Sequence, residues 1–124
     1  MIESIISMEL PAGGHLAIRR NRICPEQETK QCRRISLVSG IHGDELEGQY
    51  ICYETARRVK EHPEYLKGIV DIYPALNPLG IDMASRTVPR LDMDMNRMFP
   101  GDASGDMMER VTAAVVDSII GSDI

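Results

Sequence analysis

Ser39, Gly40, Ile41, His42, Gly43, Asp44 and Glu45 run together in this chain, with a histidine three residues before a carboxylate. Neutral imidazole and carboxylate are both good Zn²⁺ ligands. The pair sits between a β-branched apolar run and an amphipathic helical pattern, so a loop turning into a helix can aim both side chains at one point. Open α/β sheets place their ligands at this position, outside the carboxyl end of a strand. Gly40 and Gly43 let the backbone turn tightly there. A catalytic zinc normally takes three protein ligands and keeps a fourth position open. His42 and Glu45 supply two, so a third is owed. The plain alternative is a solvent-facing turn whose Glu45 favours a helix N-terminus.

A second chemical stretch spans residues 86–101 and contains Arg86, Arg90, Asp92, Asp94, Asn96 and Arg97. Asp92, Asp94 and Asn96 alternate as in the opening of a calcium loop. That reading fails because Arg97 stands where the loop needs glycine and Ala103 where it needs glutamate. An anion clamp fits better. Arg97 can hold a carboxylate through two parallel bonds, with Asn96 donating beside it. Asp92 and Asp94 would orient those donors. A solvated cluster of salt bridges is the competing interpretation.

The elements that must position these residues follow from periodicity. Residues 2–10 and 16–23 read as two strands joined by a turn at 11–14. Residues 24–31 read as a loop. The apolar run 34–39 reads as an inner strand. Residues 45–61 read as a helix with two rows, Leu46, Tyr50 and Tyr53, and Cys52, Ala56 and Val59. Pro63 ends it. Residues 68–76 read as a second buried strand, and the strand, helix, strand order predicts a right-handed crossover and a parallel pair. Residues 77–105 form a long stretch rich in Pro, Gly, Asp and Arg, expected to be a functional loop. Asp106 and Glu109 form a capping box that opens a helix with Met108, Val111, Val115 and Ile119 on one face.

The 124 residues fit one domain. With no Trp and one Phe, the core must rest on Ile, Leu, Val and the eight Met. A formal charge of -5 argues against a nucleic-acid surface, and Arg19-Arg20 and Arg33-Arg34 read as solvated strand ends. Cys24, Cys32 and Cys52 have no CxxC spacing, which argues against a structural zinc site or a disulfide framework. No apolar stretch reaches membrane-spanning length and no signal peptide opens the chain. The chain reads as cytoplasmic.

Gly40-Ile41-His42-Gly43-Asp44-Glu45, Asn77-Pro78, and Asp94-Met95-Asn96-Arg97-Met98-Phe99-Pro100-Gly101 occur in this order, together with the strand-helix-strand element. Together they resemble the succinylglutamate desuccinylase and aspartoacylase family, a branch of the zinc carboxypeptidase superfamily. The resemblance implies an α/β three-layer sandwich with a mainly parallel or mixed central sheet. It implies that residues 1–124 are the N-terminal part of a catalytic domain, with a hairpin and loop over 1–32 and an α/β core over 33–124. It implies one Zn²⁺ with His42 and Glu45 as ligands, and Asn96 and Arg97 on the substrate carboxylate. Arg86 or Arg90 would polarise the scissile carbonyl, with Arg86 favoured. The family's third ligand and general base lie in later elements, and His15 and His62 stand in the wrong elements to replace that ligand.

The implied activity is a zinc-dependent deacylase cleaving an amide in an N-acyl amino acid or a similar small anionic substrate. The alternatives are a metallocarboxypeptidase acting on short peptides, and a non-catalytic remnant that binds metal or a partner protein. A homo-oligomer is expected, joined at a sheet edge or at the Met108–Val111–Val115–Ile119 face.

Overall fold

The computed structural model describes residues 1–27 and 31–124; three positions of the predicted loop at 24–31 lie outside the described residues. Strands β1 (Ile2–Leu10) and β2 (Gly14–Ile23) form the expected hairpin, with Ile2 opposite Asn21 and Leu10 opposite Gly14. The second half of β2 pairs antiparallel with β4 (Ile69–Tyr73), and β4 pairs parallel with β3 (Arg34–Val38). The order is β1-β2-β4-β3, a mixed sheet in which β3–β4 is the parallel pair.

Helix α1 (Glu47–Glu61) makes the crossover between β3 and β4, and α3 (Met107–Ile119) follows later. Strand residues alternate between faces, and the two faces receive different helices. Leu16, Ile18 and Tyr73 cluster with Met108, Val111 and Val115 of α3. Ile72, one residue from Tyr73, faces a cavity shared with Cys52 and Ala56 of α1. The sheet therefore lies between two helical layers, as the resemblance implies.

Several expectations change. The α3 face is core: Met108, Val111 and Val115 are all buried, so it offers no surface for self-association. In α1 only one row packs inward. Cys52 is buried, whereas Leu46, Tyr50 and Tyr53 are 60%, 65% and 63% exposed, because the helix is rotated to set its smaller side chains on the sheet. The edge strands are β1 and β3, while β4 runs inside the sheet beside the β3 edge. The first part of that edge is occupied. Ser36 N–H donates to the Ile124 carbonyl (2.9 Å), and the N–H groups of Asp123 and Ile124 donate to the Arg34 carbonyl (2.7 and 3.4 Å), which is the slanted pattern of parallel pairing.

Residues 77–105 are not structureless. They contain α2 (Pro78–Asp82), a bridge between Val88 and Met93, and a 3-10 turn at Met95–Arg97. Asn77 organises this region. Its Oδ1 accepts from Gly80 N–H (2.9 Å) as the cap of α2, and its Nδ2 donates to the carbonyls of Ile41 (3.3 Å) and Thr87 (3.2 Å). Val88 and Met95 are buried in the main core and pin the segment at two points.

The basic strand ends are not simply solvated. Asp71 is fully buried, and Arg22 meets it with Nε and Nη2, both at 2.7 Å. Arg20 and Arg34 approach the same carboxylate at 3.8 and 3.9 Å. Arg34 also donates to the Ile119 and Ile120 carbonyls at the end of α3 (3.3 and 2.6 Å), where a cation suits the helix dipole. A buried carboxylate needs such partners, and three arginines supply them.

Candidate functional site

The site forms where β3 ends. Ser39 N–H donates to the Tyr73 carbonyl and Leu76 N–H to the Ser39 carbonyl, so the chain beyond β3 stays zipped to the chain beyond β4. Gly40 then turns with φ 73, a conformation that suits glycine. At Gly43 a β-carbon would collide with the Gly80 backbone, so the loop and α2 touch main chain to main chain. Gly43 N–H donates to the Ser85 carbonyl (2.9 Å). These contacts leave His42 a fixed place beside the start of α1, which begins at Glu47 and not at Glu45.

His42 stands between two carboxylates. Its Nδ1 is 3.1 Å from Glu45 Oε1 and its Nε2 is 3.1 Å from Asp94 Oδ1. A neutral imidazole carries one N–H. If Nε2–H donates to Asp94, a lone pair on Nδ1 faces the Glu45 oxygen, and a cation or a proton belongs between them. Hydrogen bonding to His42, with help from the Asn96 N–H, holds the Asp94 carboxyl below its ordinary range against the opposing effect of burial.

The second stretch converges on the same point in part. Arg86 lies 3.2 Å from Glu45 Oε1 and 3.7 Å from Asp94 Oδ2. Arg90 makes no ion pair among the described residues, so of the two candidate arginines Arg86 is the one at the cluster. Asn96 lines a cavity with His42 and Glu45, and its N–H donates to Asp94 (3.0 Å). Arg97 is 86% exposed, with its Nε 3.9 Å from Asp94 Oδ2; its side chain extends to solvent and does not line that cavity.

Two contacts differ from expectation. Asp92 pairs with Thr87 (3.4 Å) and not with Asn96 or Arg97, because its backbone turns at φ 48. Asp94 was expected to orient the Asn96-Arg97 donors; it meets Asn96 through the backbone but has His42 as its main side-chain partner. Sequence reasoning passed over Glu47, which also lines the cavity. It passed over the stitching role of Asn77 as well, although an Asn-Pro before a short helix is a cap signal. His15 pairs with Ser7 on the hairpin, and His62 packs near Tyr65 at the end of α1, both outside this cluster. Among the described residues no group of three or more His, Cys, Asp and Glu is arranged to hold a metal.

Comparison with known proteins agrees with this architecture. An N-alpha-acetyl-L-2,4-diaminobutyric acid deacetylase of Halomonas elongata is 35% identical over 75 residues, covering 60% of this chain and 21% of that protein. A succinylglutamate desuccinylase/aspartoacylase structure from Rhodobacter sphaeroides matches with a TM-score of 0.73 at 32% identity, over 90% of this chain and 33% of that one. A metallo-carboxypeptidase from Burkholderia cenocepacia shares the fold at 15% identity, with a TM-score of 0.72 over 100% of this chain and 34% of that one. The chain thus spans about a third or less of the length of these relatives. A model of the succinylglutamate desuccinylase/aspartoacylase catalytic domain matches residues 31–120. With His42, Asn77 and Asn96 all inside that match, this chain belongs to the succinylglutamate desuccinylase/aspartoacylase catalytic-domain family.

Proposed function

We propose that this chain is the N-terminal part of the catalytic domain of a zinc-dependent amide hydrolase. Its substrate class is the N-acyl amino acid or a similar small amide bearing a carboxylate. Residues 1–32 serve as the hairpin and loop, and residues 33–124 as the α/β core that carries the site. A cytoplasmic setting goes with this reading, and among the described residues no helix is long and apolar enough to cross a membrane.

The observation that carries the proposal is the 3.1 Å approach of His42 Nδ1 to Glu45 Oε1, with Asp94 on the other ring nitrogen. His42 and Glu45 converge on one point, where the two side chains would hold a single ion between them. The donor types also suit zinc. The fit is that of two ligands, and the reading needs a third from beyond the described cluster. Bound here, zinc supplies Lewis acidity toward an amide carbonyl.

The remaining roles belong to the chain. Asp94 accepts from His42 Nε2–H, which fixes the tautomer and points Nδ1 toward Glu45. Arg86 brings a cation to the two carboxylates and is the residue best placed to meet negative charge developing on a substrate oxygen. Asn96 donates to the substrate carboxylate from the cavity wall. Arg97 reaches that carboxylate by swinging in from solvent, where its planar fork suits two parallel bonds.

The test is a zinc titration of the purified chain by calorimetry, beside His42→Ala and Glu45→Ala. One ion per chain, with affinity lost in both variants, is the expected result. Uptake that survives both substitutions would end the metal assignment.

A further inference from the structure

Asn77 is 2% exposed, and all of its polar groups are engaged. Its backbone N–H donates to the Gly40 carbonyl (2.7 Å), and its own carbonyl accepts from Ile81 N–H (3.0 Å). Oδ1 accepts from Gly80 N–H, and Nδ2 donates to the carbonyls of Ile41 and Thr87. Among the described residues no backbone N–H reaches either of those two carbonyls. The packing is tight, because a β-carbon on Gly80 would collide with the Asn77 amide. Capping α2 needs only the Oδ1 bond, which serine or aspartate also supplies. The two donations need an amide, and asparagine alone among capping residues carries one.

The destinations of those donations matter. The Ile41 carbonyl belongs to the peptide unit whose nitrogen is that of His42. The Thr87 carbonyl follows Arg86 by one residue and also accepts from Ser85 Oγ (3.2 Å). Ser85 N–H donates to the Gly80 carbonyl (2.8 Å), and the Ser85 carbonyl accepts from Gly43 N–H (2.9 Å). One buried amide thus joins the backbone beneath His42 to the backbone beneath Arg86. The Arg86 side chain is half-exposed and reaches Glu45 Oε1, so that meeting depends on where its backbone is fixed.

We propose that Asn77 is a positioning residue that holds the His42 turn and Arg86 at one fixed spacing, so that the two metal-type donors and the cation move as a single unit. The inference rests on the reading above for the chemistry of that unit, while the positioning itself needs no metal. Without the two donations, the Ile41 and Thr87 carbonyls lose their shared partner. The segment carrying Arg86 then separates from the turn, and Arg86 leaves Glu45.

Amide hydrogen exchange on the zinc-free chain, followed by NMR, tests the positioning. Asn77→Ser keeps a cap for α2 but cannot reach both carbonyls. In this variant, protection of the Gly43 amide should fall at least about tenfold further than that of the Ile69 amide, which bonds to the Arg33 carbonyl at the other end of β4. Equal losses at both amides, or no loss at Gly43, would overturn the proposal. If the variant does not fold, the Nδ2 protons of Asn77 in the wild type decide: protection about tenfold or more above a free amide is expected, and free exchange would overturn it. A double-mutant cycle on zinc affinity then reads the coupling. Arg86→Gln releases Glu45 and should tighten zinc about threefold in the wild type, but change it by less than about 1.5-fold in Asn77→Ser. The same effect in both backgrounds, large or absent, would overturn the role of Asn77. Zinc uptake that does not depend on His42 fails the metal reading alone, and the exchange result stands without it.

Discussion

His42 Nε2 and Asp94 Oδ1 stand 3.1 Å apart although 52 residues separate them in sequence. The contact joins the turn after β3 to the 3-10 turn at Met95–Arg97, and it engages the ring nitrogen that does not face Glu45. Asp94→Asn removes the charge but keeps the size. Zinc affinity should fall by about 10–100-fold, the usual effect of losing a carboxylate behind a ligating histidine, with the circular dichroism unchanged. An affinity within twofold of wild type would show that Asp94 does not orient His42.

Met95 lies between Asp94 and Asn96 and is fully buried in the main core. Met95→Ala should cost about 2–5 kcal/mol in urea unfolding. It should also weaken zinc binding, although Met95 is not itself a proposed ligand, because it anchors the turn that presents Asp94. A stability loss with zinc affinity intact would separate the core from the site.

Asp71→Asn should destabilise the chain by about 3 kcal/mol, toward the low end for breaking a buried ion pair, because the Arg22 side chain keeps 28% of its exposure and can recover some hydration. Urea unfolding with an unchanged slope is the measurement. A loss under about 1 kcal/mol would mean that Arg20, Arg22 and Arg34 gain nothing from meeting at Asp71.

Glu3 offers a pH test. The bond from Arg20 holds its carboxyl below the ordinary value of 4.5. A carboxylate with a lowered folded-state pKa stabilises the fold above its unfolded value and loses that effect as pH falls through the folded one. The stability gap between wild type and Glu3→Gln should therefore be full at neutral pH and close below about pH 4.5. A gap that does not vary with pH would point to packing as its source.

Cys52 is buried against the sheet, and burial pushes its thiol above the ordinary range. In a Cys24→Ser, Cys32→Ser background it should resist alkylation at neutral pH and react once urea unfolds the chain. Rapid labelling of the folded protein would mean that α1 lifts from the sheet.

The strands and the capping box of α3 were legible because each has a local signal: alternation, a glycine or proline stop, or the Asp106–Glu109 pair. His42, Glu45 and Asn96 were legible as a set through type and order. The pairing of Asp94 with His42 was not, because it depends on how residues 77–105 fold, and their order comes from buried Asn77, Val88 and Met95 and not from any periodicity. Which row of α1 faces outward was not legible, for a related reason. Leu46, Tyr50 and Tyr53 have helical spacing as good as that of Cys52, Ala56 and Val59, and only the sheet decides which row it accepts.

The parallel bonds that Asp123 and Ile124 make along β3 turn that strand into a ruler. Ile124 stands opposite Ile35, so any chain that runs on in this register advances toward Ser39 at about 3.3 Å per residue. About four residues further it would stand beside the His42 turn. A donor entering from that side would be positioned by counting along the sheet and not by the length of a loop. Adding or removing one residue in the turn between Ile120 and Asp123 would carry every such side chain to the opposite face.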